Sequence, residues 1–111
     1  SGAALPCASQ RECPCNAQEC KSHVASHRFA ELISLSEDER RADHSRMSLV
    51  VNSDHLNPHG IVHGAVVFAL ADTGMGAALY PALGDGQICA TIEIKINYFK
   101  PVASGLLVCI A

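Results

Sequence analysis

Residues 57–72 read NPHGIVHGAVVFALAD, a turn containing Gly and His that runs into an apolar segment ending in a carboxylate. Asp72 is the only acidic or basic side chain between Gly64 and Gly84. A lone carboxylate in such apolar surroundings costs free energy unless a partner satisfies it or a reaction uses it. The turn before it can direct backbone N–H groups at a developing negative charge. Together these features predict half of an acyl-transfer site.

The residues around this segment predict a single α+β domain. Residues 64–80 are apolar on nearly every side, as is typical of a helix buried on most faces, and Pro81 ends it. Residues 88–99 alternate between polar and apolar side chains, which predicts the clearest strand. Residues 47–51 and 106–110 predict shorter strands. One long helix against an antiparallel sheet is an α+β arrangement.

The N-terminal part of the chain carries weaker patterns. Residues 1–21 are polar and interrupted by prolines, which predicts a flexible arm that holds four of the six cysteines. Residues 22–35 predict a helix, and residues 36–45 predict a charged connection. Residues 22–111 would therefore form the single domain, with residues 22–45 as its N-terminal helix and connection.

Composition limits the classes of partner that are expected. The net charge of −3 and the absence of a basic run argue against nucleic acid and against a polybasic membrane patch. Residues 61–80 are long enough to cross a bilayer, but Asp72 at the centre would cost about 2.5–3.5 kcal/mol on insertion scales. No membrane partner is therefore expected. The chain shows no secretory signal pattern and is unlike a disulfide scaffold, which favours a cytoplasmic location.

Two groups of side chains have some of the character of metal ligands. Three histidines recur at every fourth position: His55, His59 and His63. Pro58 and Gly60 break the helix that would bring them to one face. The second group lies near the N-terminus and consists of Cys13, Cys15, Cys20 and His23. It lacks the paired spacing of a zinc site, so the sequence predicts free thiols and no metal.

The motif residues resemble a known family. Asn57, the pair His63-Gly64 and Asp72 within Leu-Ala-Asp resemble the motif of the hotdog-fold acyl-CoA thioesterases of the phenylacetyl-CoA type. Residues 91–101, which close with a proline, resemble the strand that follows the central helix in that family.

The resemblance covers residues 47–111 and implies a hotdog fold, in which a curved antiparallel sheet wraps a long central helix. Members of the family usually continue for about two more strands of typical length. An end at Ala111 therefore predicts that the C-terminal strands are missing or short and that a sheet edge is exposed. The resemblance also implies a homodimer or a tetramer with sites built across the subunit interface.

The resemblance assigns roles to four residues. Asp72 would be the nucleophile, or the general base that activates water, at the thioester carbonyl. The Gly64 N–H would polarise the carbonyl oxygen, Asn57 would orient water or substrate, and His63 would support the turn. From the residues alone, His63 is better explained as a turn histidine bonded to backbone than as a direct catalyst. Asn57-Pro58 is a common turn pair, which explains Asn57 as well as a functional role does.

Two further residues belong to the implied substrate-binding region. Thr91 falls where the family often places a small hydroxyl near the acid, although a strand threonine needs no function. Ala65 stands where the family commonly has a second glycine, so the N–H is retained but the backbone loses conformational freedom. The implied substrate is an acyl-CoA, with coenzyme A as part of that substrate and no other cofactor.

Two alternative functions compete with thioester hydrolysis. One is a non-catalytic, shortened hotdog domain that binds an acyl ligand or assembles. The other is an enoyl-CoA hydratase, whose motif resembles Asp-x-Asn-Pro-x-His. Asp54 and His59 have the required separation, but Asn57-Pro58 lies one position too late.

Overall fold

The computed structural model describes residues 27–111. Over this range the chain forms a three-stranded antiparallel sheet in the order β1-β2-β3, with one long helix against it. The elements are α1 (Arg28–Leu32), β1 (Leu35–Arg41), β2 (His44–Val50), α2 (Gly64–Leu79) and β3 (Leu106–Ile110). Short 3-10 turns occupy Ser53–His55 and Tyr80–Ala82. The predicted arm, residues 1–21, and the first five residues of the predicted N-terminal helix lie outside the described residues.

Helix α2 begins and ends close to the predicted positions. His63 caps its N-terminus by accepting a hydrogen bond from the Ala65 N–H at Nδ1, over 3.0 Å. Proline at position 81 follows the last turn and cannot continue the helix. By length and hydropathy alone, Gly64–Ala82 could also cross a membrane, a test that buried core helices pass as well. Here the helix lies along the sheet, with Asp72 at its middle.

Only one face of α2 packs against the sheet. Its buried residues are Leu70, Gly74 and Ala77. The prediction that most faces would be buried is wrong for the single chain, because large apolar side chains on the other faces are exposed: Phe68, Met75 and Leu79. The composition predicts an apolar helix, but it does not predict how much of the helix surface one sheet covers.

The helix approaches the sheet closely at Gly74. A Cβ atom at this position would lie 2.9 Å from the Sγ atom of Cys109 on β3. The hydroxyl of Ser45, fully buried on β2, donates a 2.6 Å hydrogen bond to the Gly74 carbonyl. The core beside this contact is made of buried Met47, Leu70 and Ala77, with Leu35, Leu107 and Cys109 packed around them. Glycine is therefore required here by packing.

The predicted charged connection at residues 36–45 is wrong. Most of it forms β1, which pairs antiparallel with β2 around a hairpin turn. The strand has charged side chains along its exposed length and a register shift between Glu37 and Glu39. Charges and bulges are common on edge strands, where they oppose pairing with other chains. They also remove the alternation of polar and apolar residues that usually predicts a strand. The predicted helix is correspondingly short, and Ser34, at φ +59°, turns the chain from α1 into β1.

The strand predicted at residues 88–99 is not formed as a paired strand within residues 27–111. The segment has no ladder partner there, and Ile92 and Phe99 are almost fully exposed. Alternation of polar and apolar residues predicts which side chains share a face, but a strand also needs a neighbour to accept its hydrogen bonds. The predicted strand at residues 106–110 is confirmed as β3, and that at residues 47–51 as part of β2.

Candidate active site

The carboxylate of Asp72 is held by a hydroxyl from the segment that follows the helix. Thr91 donates a 2.6 Å hydrogen bond from Oγ1 to Oδ1 of Asp72. This bond leaves the second carboxylate oxygen without a partner among the described side chains. Asp72 is half-buried on α2, so its carboxylate is oriented by the protein and remains reachable. The structure thus brings together two residues that lie 19 positions apart in the sequence.

Asp72 and Thr91 both line an open cavity of about 450 Å³. Small residues of α2 form its floor, and side chains from α1, β1 and the 3-10 turn form its walls. The walls include two aromatic rings, Phe29 and Tyr80, and the thiol-bearing residue Cys89. The lining also includes charged and titratable side chains: His27, Glu37 and Arg40. A cavity with aromatic rings on one part of its wall and an oriented carboxylate on another can hold an apolar group that bears a reactive carbonyl.

Gly64 lies at the first position of α2, where helices leave backbone N–H groups unpaired. Its N–H has no acceptor among residues 27–111. It is therefore free to donate a hydrogen bond, and its use as the oxyanion donor stays a prediction. Gly64 lines a second cavity of about 320 Å³, together with Asn57, Tyr98 and Lys100.

The next backbone N–H along the chain is already committed. The Ala65 N–H donates to Nδ1 of His63, so it is not free to bind a substrate oxygen in this arrangement. Ala65 lies in the first turn of α2 and has no positive φ. The departure from a second glycine therefore costs the backbone nothing here. His63 acts as the turn support that the sequence suggested, and a direct part in the chemistry stays a prediction.

The side chain of Asn57 organises the turn before the helix. Its Oδ1 atom accepts hydrogen bonds from the His59 N–H over 2.9 Å and from the Ile61 N–H over 3.3 Å. Its backbone N–H bonds to the Ile61 carbonyl over 2.8 Å. These contacts explain Asn57 as a structural residue, and its amide nitrogen is the part that remains for orienting water or substrate.

Within one chain the two halves of the site do not face each other. Gly64 and Asp72 are eight positions apart on α2, which places them about 12 Å apart along the helix axis. They line different cavities. A thioester carbonyl next to the Asp72 carboxylate is therefore out of reach of the same chain's Gly64 N–H.

The alternative groupings of side chains are not assembled into sites. Asp54 and His59 are exposed, and neither lines the cavities described above. No group of three metal-binding side chains occurs within residues 27–111. The group formed by Cys13, Cys15, Cys20 and His23 lies outside the described residues.

Two structural residues of this region were missed by sequence reasoning. His55 is buried, accepts the Asn52 N–H at Nδ1 over 2.9 Å, and donates from Nε2 to the Ile33 carbonyl over 2.6 Å. The capping-box spacing from Asn52 to His55 was a signal that could have found it. Tyr98 donates from its hydroxyl to the Gly64 carbonyl over 2.9 Å. No local signal predicts that contact, because the two residues are 34 positions apart.

Comparison with known proteins relates this geometry to a family. The Thioesterase superfamily matches residues 59–111, a range that contains Gly64, Asp72 and Thr91. A Haemophilus influenzae protein named "Putative esterase" is 31% identical over 88 residues, covering 79% of this chain and 60% of that protein. An Archaeoglobus fulgidus protein of the same name is 30% identical over 67 residues, covering 60% and 42%. This chain therefore spans less than two thirds of either relative.

Solved structures agree with the sequence relatives. The phenylacetic acid degradation protein PaaI from Thermus thermophilus, solved as a point mutant, has a TM-score of 0.68 and 25% identity, covering 75% of this chain and 70% of its own. These likenesses show that the chain has the hotdog fold, and they relate it to the thioesterases. A Haemophilus influenzae thioesterase, at 23% identity, has the same hotdog fold, with a TM-score of 0.72 and coverage of 86% and 67%. The predicted α+β hotdog architecture is confirmed.

Proposed function

We propose that this hotdog domain hydrolyses an acyl-CoA thioester to a free acid and coenzyme A. The observation that carries the proposal is the Asp72 carboxylate, held by Thr91 at the wall of an open, largely apolar cavity. The match of residues 59–111 to the Thioesterase superfamily supports the reaction class. The names of the relatives, esterase and thioesterase, support hydrolysis of an acyl bond.

Asp72 would act on the thioester carbonyl in one of two ways. As a nucleophile, its free carboxylate oxygen would attack the carbonyl carbon, the C–S bond would break with release of the coenzyme A thiolate, and water would then hydrolyse the resulting anhydride to the free acid and the Asp72 carboxylate. As a general base, it would take a proton from the attacking water. Either route passes through an oxyanion, and one preorganised N–H donor stabilises such a species by roughly 10²–10³-fold in rate. The unpaired Gly64 N–H is the proposed donor.

The proposed site is completed by a second copy of the chain. Gly64 and Asp72 lie symmetrically about Phe68, which is four residues from each and exposed on α2. A two-fold axis beside Phe68 would pair two α2 helices antiparallel. Each Asp72 would then lie opposite the partner's helix N-terminus, and the exposed apolar residues of α2 would be covered. We therefore propose a homodimer, or a tetramer built from such dimers, with interfacial sites.

The acyl-CoA class fits the two cavities that this pairing would join. The cavity beside Asp72 has two aromatic rings in its wall, Phe29 and Tyr80, which suit an acyl chain or ring. The cavity beside Gly64 is lined in part by Lys100, a cation suited to a coenzyme A phosphate. One structural relative is named for phenylacetic acid degradation, so aromatic acyl groups belong in the test panel.

Hydrolysis of a panel of aliphatic and aromatic acyl-CoA thioesters, followed by the released thiol, tests the proposal. Asp72→Asn keeps the hydrogen bond from Thr91 but removes the charge, and we expect its rate to fall by roughly 10²–10⁴-fold. Asp85→Asn is the matched control, because Asp85 lies in an exposed turn that lines neither cavity. A folded parent that is inactive on every substrate would overturn the proposal in favour of a binding or assembly role.

A further inference from the structure

Tyr98 contacts the first residue of α2 with both its hydroxyl and its ring. The hydroxyl donates to the Gly64 carbonyl over 2.9 Å. The ring lies over the glycine, so that a Cβ atom built at position 64 would be 3.2 Å from the Tyr98 hydroxyl oxygen and 3.3 Å from the adjacent ring carbon. Such distances are tighter than ordinary van der Waals contacts. The presence of glycine at position 64 is thus explained by Tyr98.

The peptide unit between Gly64 and Ala65 is held from both sides. Its carbonyl accepts the Tyr98 hydroxyl, and its N–H donates to Nδ1 of His63 over 3.0 Å. These two bonds fix the plane of the peptide that immediately follows the unpaired Gly64 N–H. Since a peptide unit is rigid, fixing this plane restricts the rotation of Gly64 and so limits the directions in which its own N–H can point.

We infer that Tyr98 is a positioning residue that orients the Gly64 N–H toward the substrate oxygen. The inference rests on the proposed thioester hydrolysis, in which that N–H stabilises the oxyanion. Tyr98 touches Gly64 and acts through it, so it is not a catalytic residue. An oxyanion is stabilised best by donors whose orientation is fixed before the negative charge develops. The contact between Tyr98 and Gly64 would therefore contribute to the reaction rate as well as to stability.

The exposure of Tyr98 supports a positioning role over a packing role. Its side chain is 56% exposed, whereas the residues that form the core are almost fully buried. A half-exposed tyrosine contributes little apolar burial. Its hydroxyl nevertheless makes a hydrogen bond to a residue 34 positions away, at the start of the helix that carries Asp72. That bond joins the segment after the helix to the donor end of the proposed site.

Tyr98→Phe in the full chain tests the inference, because it removes only the hydroxyl. We expect kcat to fall roughly three- to tenfold, the effect of losing one hydrogen bond, with KM little changed. Asn97→Ala is the control, since Asn97 lies on the same exposed segment and its side chain makes no hydrogen bond within residues 27–111. Thermal midpoint and oligomer mass are measured for each variant, so that unfolding or dissociation is recognised.

A second readout does not depend on activity. Amide NMR spectra of the ¹⁵N-labelled parent and the two variants report on the N–H groups of Gly64 and Ala65 directly. We expect both resonances to shift in Tyr98→Phe and neither to move in Asn97→Ala.

The outcomes separate the inference from the function on which it rests. A parent inactive across the thioester panel would overturn the proposed function, and with it the positioning role. An active parent whose Tyr98→Phe variant keeps its kcat, or keeps both amide resonances unmoved, would overturn the inference alone. A fall in kcat together with shifted Gly64 and Ala65 resonances would support it.

Discussion

The two sides of helix α2 differ in what covers them. One side packs on the sheet through Leu70, Gly74 and Ala77, at a distance so short that a Cβ atom at position 74 would press against the Cys109 sulfur. The other side carries Asp72 and exposed Phe68 and is bordered by open cavities. The packed side accounts for the fold of the single chain. The open side presents chemically competent groups that one chain cannot bring to the same substrate.

The packing of the helix on the sheet needs one chain, whereas the proposed site needs a second copy. The sheet needs only one helix face to form a core. In the proposed mechanism the Asp72 carboxylate and the Gly64 N–H, about 12 Å apart along the axis, need a partner helix to act on one carbonyl. If this contrast between the two sides of α2 is correct, substitutions on the open side will mainly alter activity and substitutions on the packed side will mainly alter stability.

The largest effect is expected from mixing two inactive variants. Gly64→Pro removes the N–H at the first helical position, where proline is tolerated, and Asp72→Asn removes the carboxylate. Each homodimer would lose activity by roughly 10²-fold or more. Random 1:1 re-assembly should restore roughly a quarter of the parent activity, since half of the dimers would contain one intact interfacial site.

The control for this experiment is Gly64→Ala, which places a Cβ in the same space beside Tyr98 but keeps the N–H. Activity of Gly64→Ala well above that of Gly64→Pro would assign the loss to the missing donor. Mixed dimers that stay inactive would show that the two residues do not meet across an interface.

The next largest effect is expected on the packed side. Gly74→Ala forces a Cβ to within 2.9 Å of the Cys109 sulfur, and overpacking of this kind typically costs about 1–3 kcal/mol. Gly76→Ala is the matched control on the same helix, because nothing lies within 4 Å of its Cβ position. It should stabilise the helix by up to about 1 kcal/mol. Urea unfolding monitored by circular dichroism measures the free energy of unfolding of both variants. Equal changes in the two variants would contradict the contrast between the two sides.

A smaller effect is expected at the contact that orients the carboxylate. Thr91→Val removes the hydroxyl that donates to Asp72, and we expect kcat to fall by roughly tenfold, because a hydrogen bond to a charged group is lost. Thr91→Ser keeps the donor and should retain most of the activity. Steady-state hydrolysis of the best substrate compares the three proteins, and full activity of the valine variant would remove Thr91 from the site.

The smallest effect concerns the two cysteines on opposite sides of the helix. Burial raises the pKa of the Cys109 thiol, which lies against Gly74 on the packed side. Less thiolate is then present at neutral pH, so Cys109 should be alkylated by iodoacetamide more slowly than Cys89, which lines the open cavity. Peptide mapping by mass spectrometry follows both sites. Faster modification of Cys109 would contradict the assignment of the packed side.

Much of the site could be predicted from the sequence because its parts are local. The turn before Gly64, the helix to Leu79 and the acid at position 72 lie in one continuous segment, whose composition and spacing specify them. The strand at residues 88–99 was predicted from alternation alone and is unpaired in the described chain, because pairing depends on a neighbour that local sequence does not supply. The charged strand β1 was missed for the converse reason, since pairing with β2 forms it without any alternation.

The sequence by itself determined the long helix, its solitary carboxylate and the turn that leaves the Gly64 N–H unpaired, because each depends on residues close together in the chain. Only the tertiary structure decided that Thr91 holds Asp72, that Tyr98 holds Gly64 and that Gly74 touches Cys109. These contacts join residues 19, 34 and 35 positions apart in the sequence. Folding brings such residues together, and no spacing rule of a single helix or strand can anticipate them.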